Sequence, residues 1–536
     1  MNGIGLALLA GAFAVALIRV FSIEGPTAKD GIVTLRFAHW QLEGGIRGAF
    51  DESAREYEEM HPGVRVEQMA IPEQIAQNWS KTQLIGGTAP AIIQLGGPMG
   101  TGDEERARYF VPLTQWVTKP NPYNAGTDLA GVPWRETFVD NLESMETFSN
   151  VLLDYYGVPT TMFTTRVFYN RSLLREITGG DEVPTDYREF VELCELAADY
   201  ELPGGGRLLP IAGSKYNSPR MMDDLFRSQT QKLSLELEPA GSPRPETTEV
   251  ALAALRGQWD WQSPAVQDGL KLMQQIGRHM QPGFLSLDRD DALFYFVQGK
   301  ALMIATGSWD ATSIRIQSPF EVGAFAMPLP TQEDPEFGGN VVGPFSEVAL
   351  ESGVVFGVAR QADQTELAID FLRFITSQRS NSKFSAASGM LPGVVGVSPP
   401  PEVQPFMPRL GGFRAGFNPN LEQFGPDLVR VIETNLHRLV GPNGSVGDYS
   451  QTMDRVSPPA ILTDLNRKLD NSRQSLAMQD TTLTAYRVLA DRGTDPRAEQ
   501  KYVELLEGQD AQERMVYRME YELRASGVMP KRKEGD

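Results

Sequence analysis

An alternation of strand and helix patterns that begins at residue 33 limits this chain's fold more than any other feature. The stretch VTLRFAHW (33–40) alternates apolar and polar residues, FDESAREYEEM (50–60) has the spacing of an acidic amphipathic helix, and VRVEQMAI (64–71) returns to a strand pattern. Residues 75–85 predict a second helix, broken at 86–90. AIIQL (91–95) then reads as a buried strand running into Gly96 and Gly97. A βαβα opening of this kind predicts an α/β architecture whose ligands sit at the carboxyl ends of the strands, where loops converge. The loops to watch are therefore 39–43 and 94–99.

Residues 119–153 show no sustained period and read as a connection. YGVPTTMFTTRVFYNRSLL (156–174) predicts a pair of strands handing over to a helix at Ser172, and 184–200 predicts a helix opened by Pro-Thr-Asp. A strand follows at 208–212, a polar loop at 213–220 and a Pro-rich insertion at 239–245. Further on, FYFVQGKALMIATGSWD (294–310) places a buried strand at 301–305, turn residues at Thr306, Gly307 and Ser308, and then Trp309 and Asp310 at the strand's mouth. An indole beside a carboxylate is what carbohydrate recognition asks for, since sugar rings offer apolar CH faces to stack and hydroxyls to hydrogen-bond. The plainer alternative is a tryptophan that only fills core. Residues 354–358 read as a strand, 365–375 as an amphipathic helix and 388–396 as a Gly-rich loop. Residues 475–525 are charged and helix-patterned, with Leu483, Tyr486 and Leu489 on one face expected to pack on the body.

At 536 residues, 41% hydrophobic and 22% charged, the chain is long enough for two to four folded units. Its net charge of -20 argues against binding a phosphate backbone, and the KRK run at 531–533 is too short to change that. One cysteine, Cys194, excludes an intramolecular disulfide and a cysteine metal site, and its helical register places it on an inner face. Residues 3–18 are uninterrupted apolar and small residues with no Lys or Arg before them. They read either as a cleaved signal peptide or as a retained membrane anchor, and both place the rest of the chain outside the cytoplasmic membrane.

The ordered set AHW, YEEMHPGVRV, GGTAPAIIQL, YGVPTTMFTTRVFYNRSLL, FVQGKALMIATGSWD, VGAFAMPLP, GVVFGVARQADQTELAIDFLRFITSQ and SAASGMLPG resembles the family 1 extracellular solute-binding proteins, receptors of ATP-binding-cassette (ABC) importers that include the maltose-binding protein. The resemblance spans about 33–469. It implies an α/β, two-lobed periplasmic-binding-protein-like fold with crossing hinge strands, a solute in the cleft and no bond chemistry. The implied organisation is an N-terminal signal or anchor segment (1–22), lobe 1 from 33–151 plus 348–392, and lobe 2 from 154–345 plus 394–470. A helical C-terminal extension, 475–525, follows. By position it implies ligand contacts from Trp309, then His39 and Trp40, with Asp310, Gln41, Gln94, Tyr216 and Asn217 as polar candidates. Two carboxylates frequent in relatives are replaced here by Ala91 and Phe163.

The expected function is an extracytoplasmic or periplasmic receptor, possible also in a membrane-tethered form, that captures a carbohydrate or related polyol and passes it to ABC permease subunits. No cofactor and no nucleic-acid partner is expected. An anchored sensor or scaffold on the same fold is one rival. A glycoside-processing enzyme is another, weakly supported because 69 acidic residues make some carboxylate pair inevitable. The four histidines lack metal-site spacing, and no Gly-x-Ser-x-Gly elbow or phosphate loop is present.

Overall fold

The computed structural model describes residues 32–42, 44–99, 101–144, 146–149, 152–237, 247–344, 346–347, 352–362, 364–420, 424–493, 498–525 and 527. The apolar segment 3–18, the Pro-rich insertion 239–245 and the basic run 531–533 lie outside these residues.

Two sheets organise the molecule. The first has five strands in the spatial order Val64–Ala70, Val33–His39, Ile92–Gln94, Val355–Val358 and Val158–Pro159. The first three run parallel, and Val355–Val358 is antiparallel to both its neighbours. Helices Gly44–Met60, Glu73–Gly86 and Thr365–Ile375 connect or cover these strands. Helix Gly44–Met60 starts earlier than the sequence pattern suggests because Ile46, Ala49 and Phe50 already face the core. That core is aromatic: Phe37 lies 5.4 Å from Phe50 and 6.0 Å from Phe356 between ring centroids, and Phe384 closes on Phe50 at 4.8 Å. Burial of each such side chain contributes about 1.5–3 kcal/mol.

The second sheet has the order Val322–Phe325, Thr165–Asn170, Ala301–Gly307 and Leu209–Ala212. Ala301–Gly307 is buried along its whole length, as its unbroken apolar run requires. Helices Tyr187–Asp199, Asn217–Gln229 and Pro264–Arg278 pack with it around a second core that holds Trp259, Trp261, Phe417 and Tyr449. Cys194 belongs to this core, where burial pushes its thiol pKa upward.

An extended crossing joins the two sheets. The chain pairs in the first sheet at Val158–Pro159, pairs Thr161–Met162 with Leu391–Pro392, and enters the second sheet at Thr165. This gives two lobes with crossing hinge strands.

The C-terminal part is a helical hairpin that touches both lobes. One helix runs from Val446 to Arg492, through Pro458 and Pro459, and a second returns over Ala498–Ala525. On the return helix, Ala511 and Met515 join a cluster with Phe110, Tyr156 and Val355 of the first lobe. Val516, Met519 and Leu523 join the core of the second. Leu483 is buried, whereas Leu489 remains 38% exposed. A cavity of about 1040 Å³ separates the first lobe from the return helix, lined among others by Trp116, Arg360, Glu507 and Arg514.

Candidate functional site

The strand Ala301–Gly307 ends in a short 3-10 turn, Ser308–Asp310, which sets Trp309 half-exposed at the strand's carboxyl end. The indole meets Phe163 edge-to-face, with centroids 5.1 Å apart and planes at 81°. Phe163 lies in the crossing between the lobes. Trp309, although carried by the second sheet, packs against the first lobe's core cluster. Trp309 therefore stands on the seam of the two lobes.

Tyr216 reaches the same place from the start of helix Asn217–Gln229. The sequence pattern suggests a loop through residue 220, but the helix begins at 217. Ser214 Oγ accepts from the backbone N–H groups of Tyr216 and Asn217, while Met221, Met222, Leu225 and Phe226 supply a buried helical face. The early start puts Arg220 one turn beyond Tyr216, its guanidinium carbon 3.5 Å from the Tyr216 ring centroid and 5.6 Å from that of Trp309. Arg289, at the first turn of helix Arg289–Val297, lies 5.2 Å from the same tyrosine ring. The Trp309 indole N–H donates to the Tyr216 phenol oxygen. Burial raises the phenol pKa, and the two arginines oppose that shift.

Asp310 is buried, and both carboxylate oxygens are engaged, one by Arg289 and the other by the Thr306 hydroxyl. It orients Arg289 and has little left to offer a ligand hydroxyl. A cavity of about 360 Å³ opens beside this pair, lined by Arg289, Leu293, Phe294, Asp310, Ser313 and Gln317.

The first lobe contributes a different arrangement. Trp40 is half-exposed, its ring 3.1 Å from where a Gly97 side chain would begin, so the bare glycine admits the indole. Gln94 is fully buried; its Oε1 accepts from the Trp40 backbone N–H at 3.2 Å, and its Nε2 finds no acceptor among the described residues. Gln41 is buried beside them, its backbone N–H donating to His39 Nδ1 at 3.1 Å. That bond fixes the tautomer of His39, whose Nε2–H donates to Gln68 Oε1 at 2.8 Å. Burial lowers the His39 pKa to about 4. With both ring nitrogens used and no exposed surface, His39 serves the fold of the first lobe. Asn217 does the same in the second: its Oδ1 accepts from Ser214 and its Nδ2 donates to the Ala305 carbonyl at 2.8 Å.

The structure thus gathers Trp309, Tyr216 and Asp310 into one cluster with Phe163, Arg220 and Arg289, and Trp40, Gln41 and Gln94 into another. Sequence reasoning missed the two arginines. Their signals were the i, i+4 spacing from Tyr216 to Arg220 and the Asp288–Asp291 capping box that starts the helix at Arg289. None of Trp40, Gln94, Tyr216 or Trp309 lines the large cavity under the return helix. Among the described residues, no His, Cys, Asp and Glu grouping is placed to hold a metal ion, and no helix is long and apolar enough to cross a membrane.

Comparison with known proteins agrees with this architecture. A multiple sugar-binding protein of Streptococcus mutans serotype c is 22% identical over 407 residues, 74% of this chain and 83% of that protein. Among solved structures, a chitin oligosaccharide binding protein matches 80% of this chain and 99% of its own at 19% identity, with a TM-score of 0.55. RafE in complex with raffinose matches 80% of this chain and all of its own at 17% identity, with a TM-score of 0.52. At these identities the structures establish the two-lobed fold. The model of the bacterial extracellular solute-binding protein family matches residues 52–408, and the chain belongs to that family.

Proposed function

We propose that the protein is an extracytoplasmic receptor for a carbohydrate or related polyol, held between the lobes and delivered to the permease subunits of an ABC importer. One observation carries this reading: Trp309, rooted in the second sheet, packs against the first lobe's core and against Phe163 of the crossing. An aromatic face at the seam senses both the solute and the angle between the lobes. A bound sugar ring stacked there favours one lobe arrangement, which an importer can distinguish from the unloaded one. Tyr216 extends the platform, and the half-exposed Trp40 is the first lobe's candidate for a second aromatic contact.

The names of the relatives support the same class of ligand, as one is a sugar-binding protein, another binds chitin oligosaccharide and a third was solved with raffinose. The domain plan proposed is the one expected from the sequence, with residues 1–22 as signal or anchor and 475–525 as the helical extension. A retained anchor would tether the receptor to the cytoplasmic membrane.

The test is a thermal melt of the purified protein against mono- and oligosaccharides, polyols, amino acids and polyamines. A ligand at a hundred times its dissociation constant adds about 2.7 kcal/mol to stability. A saccharide-specific rise in Tm that vanishes in Trp309→Ala is the expected result; a rise with amino acids or polyamines alone would reject it.

A further inference from the structure

The two lobes grip the return helix Ala498–Ala525 unequally. On the second lobe the hold is deep: Val516, Met519 and Leu523 enter the core, Arg518 pairs with Glu249 and Arg256 with Glu522. The helix's antiparallel partner buries Ile461, Leu465 and Leu469 in the same core. On the first lobe the hold is thin. Ala511 and Met515 join the cluster of Phe110 and Tyr156, Lys501 Nζ donates to the Arg360 carbonyl at 3.0 Å, and Arg108 donates across to Ser475 Oγ at 3.3 Å. Beside these contacts lies the cavity of about 1040 Å³. At Gly508 the approach leaves no room for a side chain: a methyl group there would lie 2.7 Å from the Ala107 carbonyl oxygen in helix Asp103–Tyr109.

This contact lies across the first sheet from Trp309. In strand Val355–Val358, Phe356 faces the cluster that receives Trp309, and its neighbour Val355 faces the cluster that receives Ala511 and Met515. Trp309 and the return helix are both rooted in the second lobe. A rotation that shifts Trp309 against the first lobe therefore shifts the helix against it as well.

We infer that the return helix is a strap that fixes the angle between the lobes and yields by slipping at its narrow grip on the first lobe, where the cavity gives it room. The receptor reading above enters only in making lobe rotation the working motion. A solute that turns the lobes has to break the strap's contact, so its apparent affinity is scaled down by the small fraction of molecules in which that contact is already released.

The experiment is double electron–electron resonance on the full chain, with nitroxide labels on pairs of exposed positions. Arg55→Cys marks the first lobe, Glu192→Cys the second and Tyr517→Cys the return helix. Cys194 is fully buried and takes no label. Two variants loosen the strap. Gly508→Ala favours the helix itself while wedging it off Ala107, and Ala511→Asp sets a charge against the apolar cluster of Phe110. Wild type is expected to give one narrow 55–192 distance, and each variant to broaden it or add a second. The 55–517 distance should change with it, whereas the 192–517 distance should not, which also shows that helix and second lobe remain folded together. A broad 55–192 distribution in wild type, or one unmoved in both variants, overturns the strap. A change in 192–517 with 55–517 constant overturns the assignment of the end that yields. No solute is used, so these outcomes leave the saccharide reading to the thermal melt.

Discussion

Gly307 makes room for Trp309: a methyl group on Gly307 would lie 2.3 Å from the indole ring atoms. The ring folds back over the strand that carries it, and only a residue without a side chain allows that contact. Gly307 has an ordinary extended backbone, with φ of -79°, so its requirement is for space and not for an unusual conformation.

Gly307→Ala is therefore expected to push the indole away from Tyr216 and Phe163 without breaking the strand. Saccharide affinity should fall by about tenfold or more, equivalent to about 1.4 kcal/mol. Titration calorimetry with near-ultraviolet circular dichroism checks it. A changed tryptophan signal with unchanged affinity would remove Trp309 from the site.

The buried His39 predicts a pH dependence of stability. Its folded pKa, about 4, lies below the 6.5 of an ordinary imidazole, so the unfolded chain takes up a proton at a pH where the folded one does not. Its contribution is fully present above pH 6.5 and is lost as pH falls from there toward 4, at a cost of about 3 kcal/mol. Melting curves of wild type and His39→Gln across that window should converge at the acid end, because the variant lacks this slope. Parallel curves would show that the imidazole titrates normally in the folded protein.

The alternation of strands and helices was legible because each buried face repeats with its own period, and the Trp309 turn was legible because an apolar run ends in three turn residues. The burial of polar side chains was not. His39 looks like a ligand contact in the sequence because it sits at a strand end, and Asn217 because it falls in the polar stretch 213–220. Their ring nitrogens and amide are used by Gln68, Gln41, Ser214 and Ala305, which lie between 2 and 88 residues away. Arg220 was hidden by the start of its helix, which depends on the Ser214 turn. The hairpin showed its helical pattern, but the sequence could not divide its apolar positions. Ala511 and Met515 face one lobe while Val516, Met519 and Leu523 face the other.

That division gives a prediction for the return helix. Leu523 is fully buried in the second lobe's core, whereas Tyr521, two residues earlier, is 70% exposed. Leu523→Ala should destabilise the protein by about 2–5 kcal/mol, and Tyr521→Ala should change stability by less than about 0.5 kcal/mol. Guanidinium denaturation separates the two. Equal effects would mean that the hairpin is not docked as described.

Glu347 holds together two arginines and two segments of the second lobe. Its carboxylate takes a bidentate pair from Arg166 at 3.1 Å each, the Arg409 backbone N–H at 2.7 Å and the Arg409 side chain at 3.0 Å. The Arg166 and Glu347 side chains are 2% and 8% exposed. Removing the acid leaves the guanidinium buried with carbonyl acceptors from Thr165, Pro405 and Met407 but no counter-charge. Glu347→Ala is expected to cost about 3 kcal/mol, toward the lower end for a broken buried pair because those carbonyls remain. The double variant Arg166→Met with Glu347→Leu removes both charges and should recover most of that loss, since an apolar pair of similar volume needs no counter-ion. Urea denaturation of wild type, Arg166→Met, Glu347→Leu and the double variant in one cycle measures the coupling. Additive losses would mean that the pair contributes no more than its separate side chains, and that the strand at Arg166 is held to the 405–409 segment by backbone acceptors alone.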